Sequence, residues 1–358
     1  MRSRCVKPGQ AGFSLVEIMV ALVIGLLTTL VIMQVFTVFE GQKRSTMGSA
    51  DAQTSGSVAL YMIGRDMQMA GFGLLPATDS ALECNPSPVI AAGVDLSPVI
   101  ITDGGAAAGA SDTVAIRYGN TPIAGIPSII TSVVGSTAIV DVNIGCQAPP
   151  PGPQVALVIN GAACIATTVT GLSSPPDFTG VQLASTAGVV PGANLACLGQ
   201  WNQITYQVVN GNLEVNGVPT VAGVVNLQAQ YGISAVASSN QVIQWVDATA
   251  ASGWAAPLVA DRNRIKAIRI AVVARNEQLE KDPVTVACSS TTLPLVPPAG
   301  LCAWDATSAL PNPLVAPFIA SPAPTIDLSN DADWARYRYR VFETIIPLRN
   351  MIWAWETL

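Results

Sequence analysis

Residues 12–39 read GFSLVEIMVALVIGLLTTLVIMQVFTVF. From Ile18 to Phe39 there are 22 residues and no charged side chain. Wound as an α-helix at about 1.5 Å per residue, such a run reaches about 33 Å, the thickness of one bilayer core. It is longer than the ~7–15-residue core of a secretory signal, and no small-residue cleavage site follows it. Arg2, Arg4 and Lys7 precede it. That basic end is expected to stay on the cytoplasmic side of the inner membrane, with a single pass and the rest of the chain as a periplasmic head.

Glu17 stands at the edge of the apolar run, after Phe13, Ser14, Leu15 and Val16. A carboxylate deep in a bilayer costs about 2.5–3.5 kcal/mol on insertion scales. It either reaches back to the headgroups or needs a cation from another chain. A cut between Gly12 and Phe13 would supply one. The new α-amine would lie one helical turn before Glu17, and the amine of one copy could neutralise Glu17 of its neighbour in an apolar bundle. Such a pair is worth little in water and far more once desolvated with good geometry.

The stretch Gly12-Phe13-Ser14-Leu15-Val16-Glu17, followed by an uncharged helix, resembles the cleavage site of type IV prepilins with their class III leader. The resemblance implies that a prepilin peptidase cuts after Gly12 and methylates the amine of Phe13. It also implies that Glu17 guides docking into a growing fibre. One feature departs from the common major pilins, which usually carry a kinking proline in this helix. No proline occurs between Phe13 and Gly73. That points to a minor subunit.

Composition narrows the function classes. The chain contains no histidine. This removes Ser-His-Asp and Cys-His catalysis and His-ligated metals, and the expectation is a protein that is not an enzyme and needs no cofactor or metal. Removing residues 1–12 takes away three basic groups, leaving 14 basic against 23 acidic, or −9. Nucleic acid is therefore not an expected partner, because phosphate contacts need clustered Lys and Arg. Of the seven cysteines, Cys5 would leave with the leader. The remainder, Cys84, Cys146, Cys164, Cys197, Cys288 and Cys302, form an even set with no C-x-x-C pair, which suggests three disulfides in an oxidising compartment. Six cysteines allow about fifteen pairings. The preferred scheme joins Cys288 to Cys302, Cys146 to Cys164 and Cys84 to Cys197.

The expected organisation is a cleavable leader over 1–12, a membrane or fibre-core helix over 13–40, an amphipathic helix over 41–73, and a β-rich head over 74–358. Val58, Met62, Arg65 and Met69, and also Leu60, Ile63 and Met67, fall at helical spacing, an amphipathic pattern whose methionines are read as packing against a sheet. Gly48 and Gly56 are read as sites of a bend or melted turn. Strands are expected at Ser111–Tyr118, within Ile129–Ile144, and at Ile265–Arg275. A hairpin is expected about Asn210-Gly211-Asn212. Arg336, Arg338 and Arg340 alternate with Tyr337, Tyr339 and Val341, which places tyrosines inward and arginines outward, on a solvated face or a docking face for an acidic partner. Asp327, Asp331 and Asp333 are read as a solvated turn rather than a Ca²⁺ site. Trp353 and Trp355 are read as core or as a partner anchor. The fold class is thus α+β and pilin-like: a long N-terminal helix packed on an antiparallel sheet with long disulfide-clamped loops.

Several segments in order resemble the PilW family of minor pilins. They are Gly64 to Gly71, Val225 to Gly232, Arg264 to Gln278 and Tyr337 to Asn350. The resemblance implies a low-copy subunit that primes pilus assembly with other minor pilins and ends near the fibre tip, at the cell surface. Its expected partners are those minor pilins, the major pilin, the prepilin peptidase, the inner-membrane assembly platform and a tip adhesin. Two rival functions share these features: a minor pseudopilin of type II secretion, and a tip adhesin in its own right. Genomic neighbours separate the first, and pilus-positive but non-adhesive deletion strains the second.

Overall fold

The structure is a computed structural model that describes residues 12–74, 96–123, 125–148, 152–161, 163–174, 178–289, 300–304, 323–324 and 326–352. Residues 1–11, Cys84, Trp353 and Trp355 lie outside the described residues.

α1, Leu15–Met67, is one continuous helix of 53 residues, about 80 Å long at 1.5 Å per residue. Ser14 enters it in an extended conformation. Gly71 and Gly73 leave it at φ 73° and 87°, conformations that cost an L side chain energy but cost glycine none. The buried stripe in its second half is Ala52, Gly56, Ala59, Ile63, Met67 and Ala70. Met67 faces the core as expected and Met62 packs against it, while Met69 does not, being 39% exposed. The glycines also differ from expectation. The helix runs unbroken through Gly48 and Gly56, and both are buried against the rest of the chain. A Cβ on Gly56 would lie 2.1 Å from Phe342 Cε2, and one on Gly48 1.7 Å from Asn276 Nδ2. The missing side chains let the helix approach the sheet closely.

The strands are β1 Val99–Thr102, β2 Thr113–Gly119, β3 Ser128–Val134, β4 Thr137–Val140, β5 Gln154–Asn160, β6 Ala163–Leu172, β7 Gly180–Leu183, β8 Asn194–Gly199, β9 Trp201–Val209, β10 Asn212–Val215, β11 Val218–Ala222, β12 Val224–Ser234, β13 Val242–Val246, β14 Ile265–Arg275 and β15 Tyr339–Pro347. They form a five-stranded sheet β1-β2-β9-β10-β11, a four-stranded sheet β13-β12-β14-β15, and a closed barrel β3-β4-β7-β6-β5-β8. The β9–β10 hairpin turns at Asn210 and Gly211, both with positive φ, as a two-residue Asn-Gly turn requires. α2, Val259–Arg262, and α3, Arg349–Ile352, are single turns.

The barrel is an insertion. β2 and β9 pair directly, and their last pair is Gly119 with Trp201. The six barrel strands lie between those two residues and close around their own core, which includes Ile130, Ala156, Val158, Val181 and Leu195. The main core lies between the helix and the sheets and includes Ile63, Met67, Ile116, Tyr206, Leu227, Tyr231 and Ile268. A third cluster on the far side of the four-stranded sheet contains Ala271, Val273, Leu301 and Leu328.

The arginine–tyrosine segment is partly as expected. Residues Trp334–Arg336 form a 3-10 turn, and the strand starts only at Tyr339. Tyr339 and Val341 pack on the third cluster, and Arg338 and Arg340 are exposed. The arginines nonetheless bind their own chain. Arg336 pairs with Asp333 at 3.0 Å, Arg338 with Glu280 at 2.6 Å, and Arg340 donates to Ser49 Oγ at 3.1 Å. Asp331 is taken by Arg275 at 2.9 Å, so Asp331 and Asp333 are engaged with cations of the protein, while Asp327 accepts from Ser329 N at 2.9 Å.

Candidate functional site

The N-terminal half of α1 is bare. Every Leu, Ile, Val, Met and Phe from Leu15 to Phe39 is at least 47% exposed, and Phe13 is 80% exposed. Among the described residues this is the one helix long and apolar enough to cross a membrane, and the rest of the chain leaves its apolar stretch uncovered. Its hydroxyls are satisfied internally. Thr28 donates to Ile24 O at 2.7 Å, and Thr37 to Gln34 O at 2.8 Å, so these groups can enter an apolar medium without an unmet donor. An apolar face of this length has lost contact with water only when lipid or other helices cover it.

Gly12 has nothing within 4 Å of the position a Cβ would take. The Gly12–Phe13 bond therefore lies in exposed chain immediately before the helix, where an enzyme can reach it. Phe13, Glu17, Ile18, Ala21 and Leu22 line one face of the first turns. Ser14-Leu15-Val16-Glu17 has the spacing of a capping box, but Ser14 makes no side-chain cap hydrogen bond. Glu17 sits in the first turn, where the free N–H groups and the helix dipole favour an anion. Among the described residues it has no ion-pair partner. The geometry leaves its carboxylate available to an amine brought by another chain, one turn from where its own amine would be.

The second half of α1 carries the head rigidly. Tyr206 of β9 donates its hydroxyl to Asp66 Oδ2 at 2.7 Å, and Arg65 Nε meets Asp66 Oδ1 at 2.8 Å. Burial and the neighbouring carboxylate push the Tyr206 hydroxyl well above its ordinary pKa, so it stays a donor. Asn350 Nδ2 donates to Gln68 O and Ala70 O, at 3.3 and 2.9 Å, and thereby covers carbonyls left over at the helix end. Sequence reasoning missed this anchor. Its trace in the sequence was the Gly64-Arg65-Asp66 segment, read for family likeness and not for a buried acid.

The joint between the two open sheets is Asp112. Its carboxylate accepts from Gly104 N at 2.9 Å and Ala229 N at 2.8 Å, and its own N–H donates to Leu227 O at 2.8 Å. Burial raises its pKa to about 6, against the lowering effect of those two N–H groups.

The cysteines pair differently from the expected scheme. Cys288 is joined to Cys302. Cys146 is joined to Cys197, not to Cys164, and this also excludes the Cys84–Cys197 bridge. The reason is strand parity. Cys197 and Cys146 point into the barrel core, with Val158 and Leu195. Cys164, on β6, points outward with Ala166 onto the main core. Side chains on opposite faces of the barrel wall cannot meet. Cys164 is itself disulfide-bonded.

Comparison with known proteins gives two matches. The family described as Type IV Pilus-assembly protein W matches residues 199–350, and the Prokaryotic N-terminal methylation motif matches residues 7–33. The first begins at the end of β8 and takes in the hairpin, the four-stranded sheet and the third cluster, leaving the barrel strands almost wholly outside. The second covers the Gly12–Phe13 bond, Glu17 and most of the apolar run. No curated protein and no solved structure matches the chain.

Proposed function

We propose that the chain, which matches the family described as Type IV Pilus-assembly protein W over residues 199–350 and the prokaryotic N-terminal methylation motif over residues 7–33, is a minor pilin that primes pilus assembly. In this reading, prepilin peptidase cuts after Gly12 and methylates Phe13. The apolar half of α1 first holds the subunit in the inner membrane, with the head in the periplasm, and then enters the helical core of the fibre. It associates with other minor pilins and the major pilin at the assembly platform, stays near the fibre tip, and can meet a tip adhesin there. The protein works by docking and not by catalysis.

The observation that carries the reading is the bare, uncharged half-helix with Glu17 one turn after the cleavage site, continuous with a helix buried in a folded head. A bulk subunit and a primer share that helix. The unkinked sequence and the PilW likeness favour the primer.

The test is a deletion strain complemented with wild type or with Glu17→Ala. Wild type is expected to restore surface pili, while Glu17→Ala gives at most a small fraction of them. Mass spectrometry of the wild-type protein is expected to find a methylated N-terminus at Phe13. Normal piliation of the deletion strain, coupled to a secretion defect, would place the protein in a type II secretion machine instead.

A further inference from the structure

The cations of the chain are unevenly placed. Of the 17 Lys and Arg, three lie in residues 1–12 and 14 follow. None of the 14 lies between Arg117 and Arg262, the span that holds the whole barrel. Four of them, Lys43, Lys281, Arg336 and Arg338, line one groove of about 800 Å³, a volume in the range of ligand sites. The groove runs between residues 40–47 of α1 and the segment that follows β14. That segment is held by its own hydrogen bonds. Glu280 N donates to Arg336 O at 2.9 Å, and Arg336 Nε donates to Glu280 O at 3.0 Å. The arginines are taken up in the same wall, Arg338 by Glu280 and Arg336 by Asp333.

Lys43 and Lys281 are the cations left over. Both are exposed, and among the described residues neither has an ion-pair partner. Glu40, the other acid of the groove, is itself engaged, and Glu277 and Asp282 do not line it. Met47 and Leu279 line the groove beside the lysines and are 55% and 45% exposed. Height along α1 then indicates what meets these groups. With residues 18–39 laid across one hydrocarbon core, the headgroups beyond it form a layer ~5–8 Å deep. Lys43 is four residues past Phe39, about 6 Å along the axis, and so falls within that layer. Lys281 reaches the same groove from the head. Cations on long apolar stems, set beside exposed apolar side chains, are the composition of a surface that lies at a bilayer interface.

We propose that this groove binds the headgroup phosphate of an anionic phospholipid, at the surface of the membrane that the apolar half of α1 crosses. Lys43 and Lys281 donate to the phosphate from opposite walls, and Met47 and Leu279 rest on the glycerol and the first acyl carbons. The head is thereby set down on the bilayer at the foot of its own helix, and it lets go of this lipid when the helix is drawn into a fibre. The proposal rests on the reading above only in that α1 crosses a membrane.

The test uses the full chain in nanodiscs of phosphatidylcholine alone, or of phosphatidylcholine with an equal share of phosphatidylglycerol. Amide hydrogen exchange is followed over residues 276–282. Exchange there is expected to be about tenfold slower in the discs that contain phosphatidylglycerol, and high salt should remove most of the difference. The double variant Lys43→Gln with Lys281→Gln is expected to exchange at the same rate in both discs. Lys43→Arg with Lys281→Arg, which keeps the charge, is expected to restore the difference. An unchanged unfolding midpoint and an intact Cys288–Cys302 bridge show that the variants are folded. Equal exchange of the wild type in both discs overturns the proposal. So does a glutamine variant that keeps the difference, or an arginine variant that fails to regain it. Inorganic phosphate added to phosphatidylcholine discs is expected to give no protection; full protection from it would mean that the groove takes free phosphate and not lipid, and also overturns the proposal. Should the deletion strain have normal pili while the lipid-dependent protection persists, the assembly reading falls and this one stands.

Discussion

Gly56 sits where α1 comes closest to β15, and Phe342 occupies the space its side chain would need. In an exposed helix, replacing glycine would gain about 1 kcal/mol. Here overpacking is larger: Gly56→Val is expected to lower stability by about 1–3 kcal/mol. Phe342→Ala in the same chain should recover part of the loss, so the two effects are not additive. Gly41 has nothing within 4 Å, and Gly41→Ala should be neutral or stabilising. Urea unfolding of the three variants reads all of this, and a neutral Gly56→Val would show that the close approach is not tight. Asp112 gives a prediction of a different kind. Burial holds its pKa at about 6 in the folded protein, against about 3.9 unfolded. Between those values the folded state binds more protons, so stability must fall as pH rises from about 4 through 6. The shift corresponds to about 2–3 kcal/mol, present in full below the unfolded pKa and lost above the folded one. Asp247 is pushed the same way by its own burial, so the comparison has to be with Asp112→Asn. That variant should lack most of the decline in stability between pH 4 and 7. An identical pH profile in wild type and variant would remove Asp112 as its source.

At the level of elements, the disulfides divide by what they hold. Cys146–Cys197 closes a loop with a sequence separation of 51 inside the barrel, and Cys288–Cys302 one of 14. Loop-closure entropy assigns about 4 kcal/mol to the first and about 3 kcal/mol to the second. Replacing Cys146 and Cys197 together by Ala should therefore cost at least as much as replacing Cys288 and Cys302. Chymotryptic mapping without reduction should recover a peptide joining Cys146 to Cys197 and none joining Cys146 to Cys164. Trypsin would be useless for this, since the chain has no Lys or Arg between Arg117 and Arg262. The failure to read this pairing from sequence has a physical cause. It depends on which face of β6 each residue takes, and β5 beside it is buried over Gln154–Ile159 without alternation. A strand covered on both faces shows no period-two pattern, so β5 carries no strand signal in its sequence, while β3 and β4 fall almost wholly within the expected Ile129–Ile144. The legible elements were those with one wet face or a turn signal: β14 by its β-branched run, the β9–β10 hairpin by Asn210-Gly211, α1 by its uncharged length. The pattern of Gly12, Phe13 and Glu17 is a short local motif, and it lies inside the residues 7–33 that match the N-terminal methylation motif. The Asp66–Tyr206 contact was not, because its partners lie 140 positions apart.

On the scale of the whole molecule, the inserted barrel is not a separate body. The two faces of β5 serve different cores: Ala156 and Val158 fill the barrel, while Val155, Leu157 and Ile159 pack into the main core beside Ile63 and Tyr206. Ala196 and Leu198 of β8 do the same on the main-core side. The barrel cannot leave without exposing that core, and the core cannot open without uncovering the barrel wall. The anchor at Asp66, Tyr206 and Asn350 then ties this joint body to the helix that would be pulled from the membrane into a fibre. A helix gripped only by one sheet could unzip under such a pull; one gripped by a single shared core passes the load to the entire head. The expectation is that the head unfolds in one step. Native-state hydrogen exchange across a urea series should show amides of β5, β12 and β14 losing protection with the same free energy and the same dependence on urea. Tyr206→Phe, which removes the hydroxyl from the buried Asp66 carboxylate, should lower all three together by about 1–3 kcal/mol. Loss of protection in β5 at clearly lower urea than in β14, or a Tyr206→Phe effect confined to α1, would mean that the barrel and the helix anchor are separate units and that the load path described here does not exist.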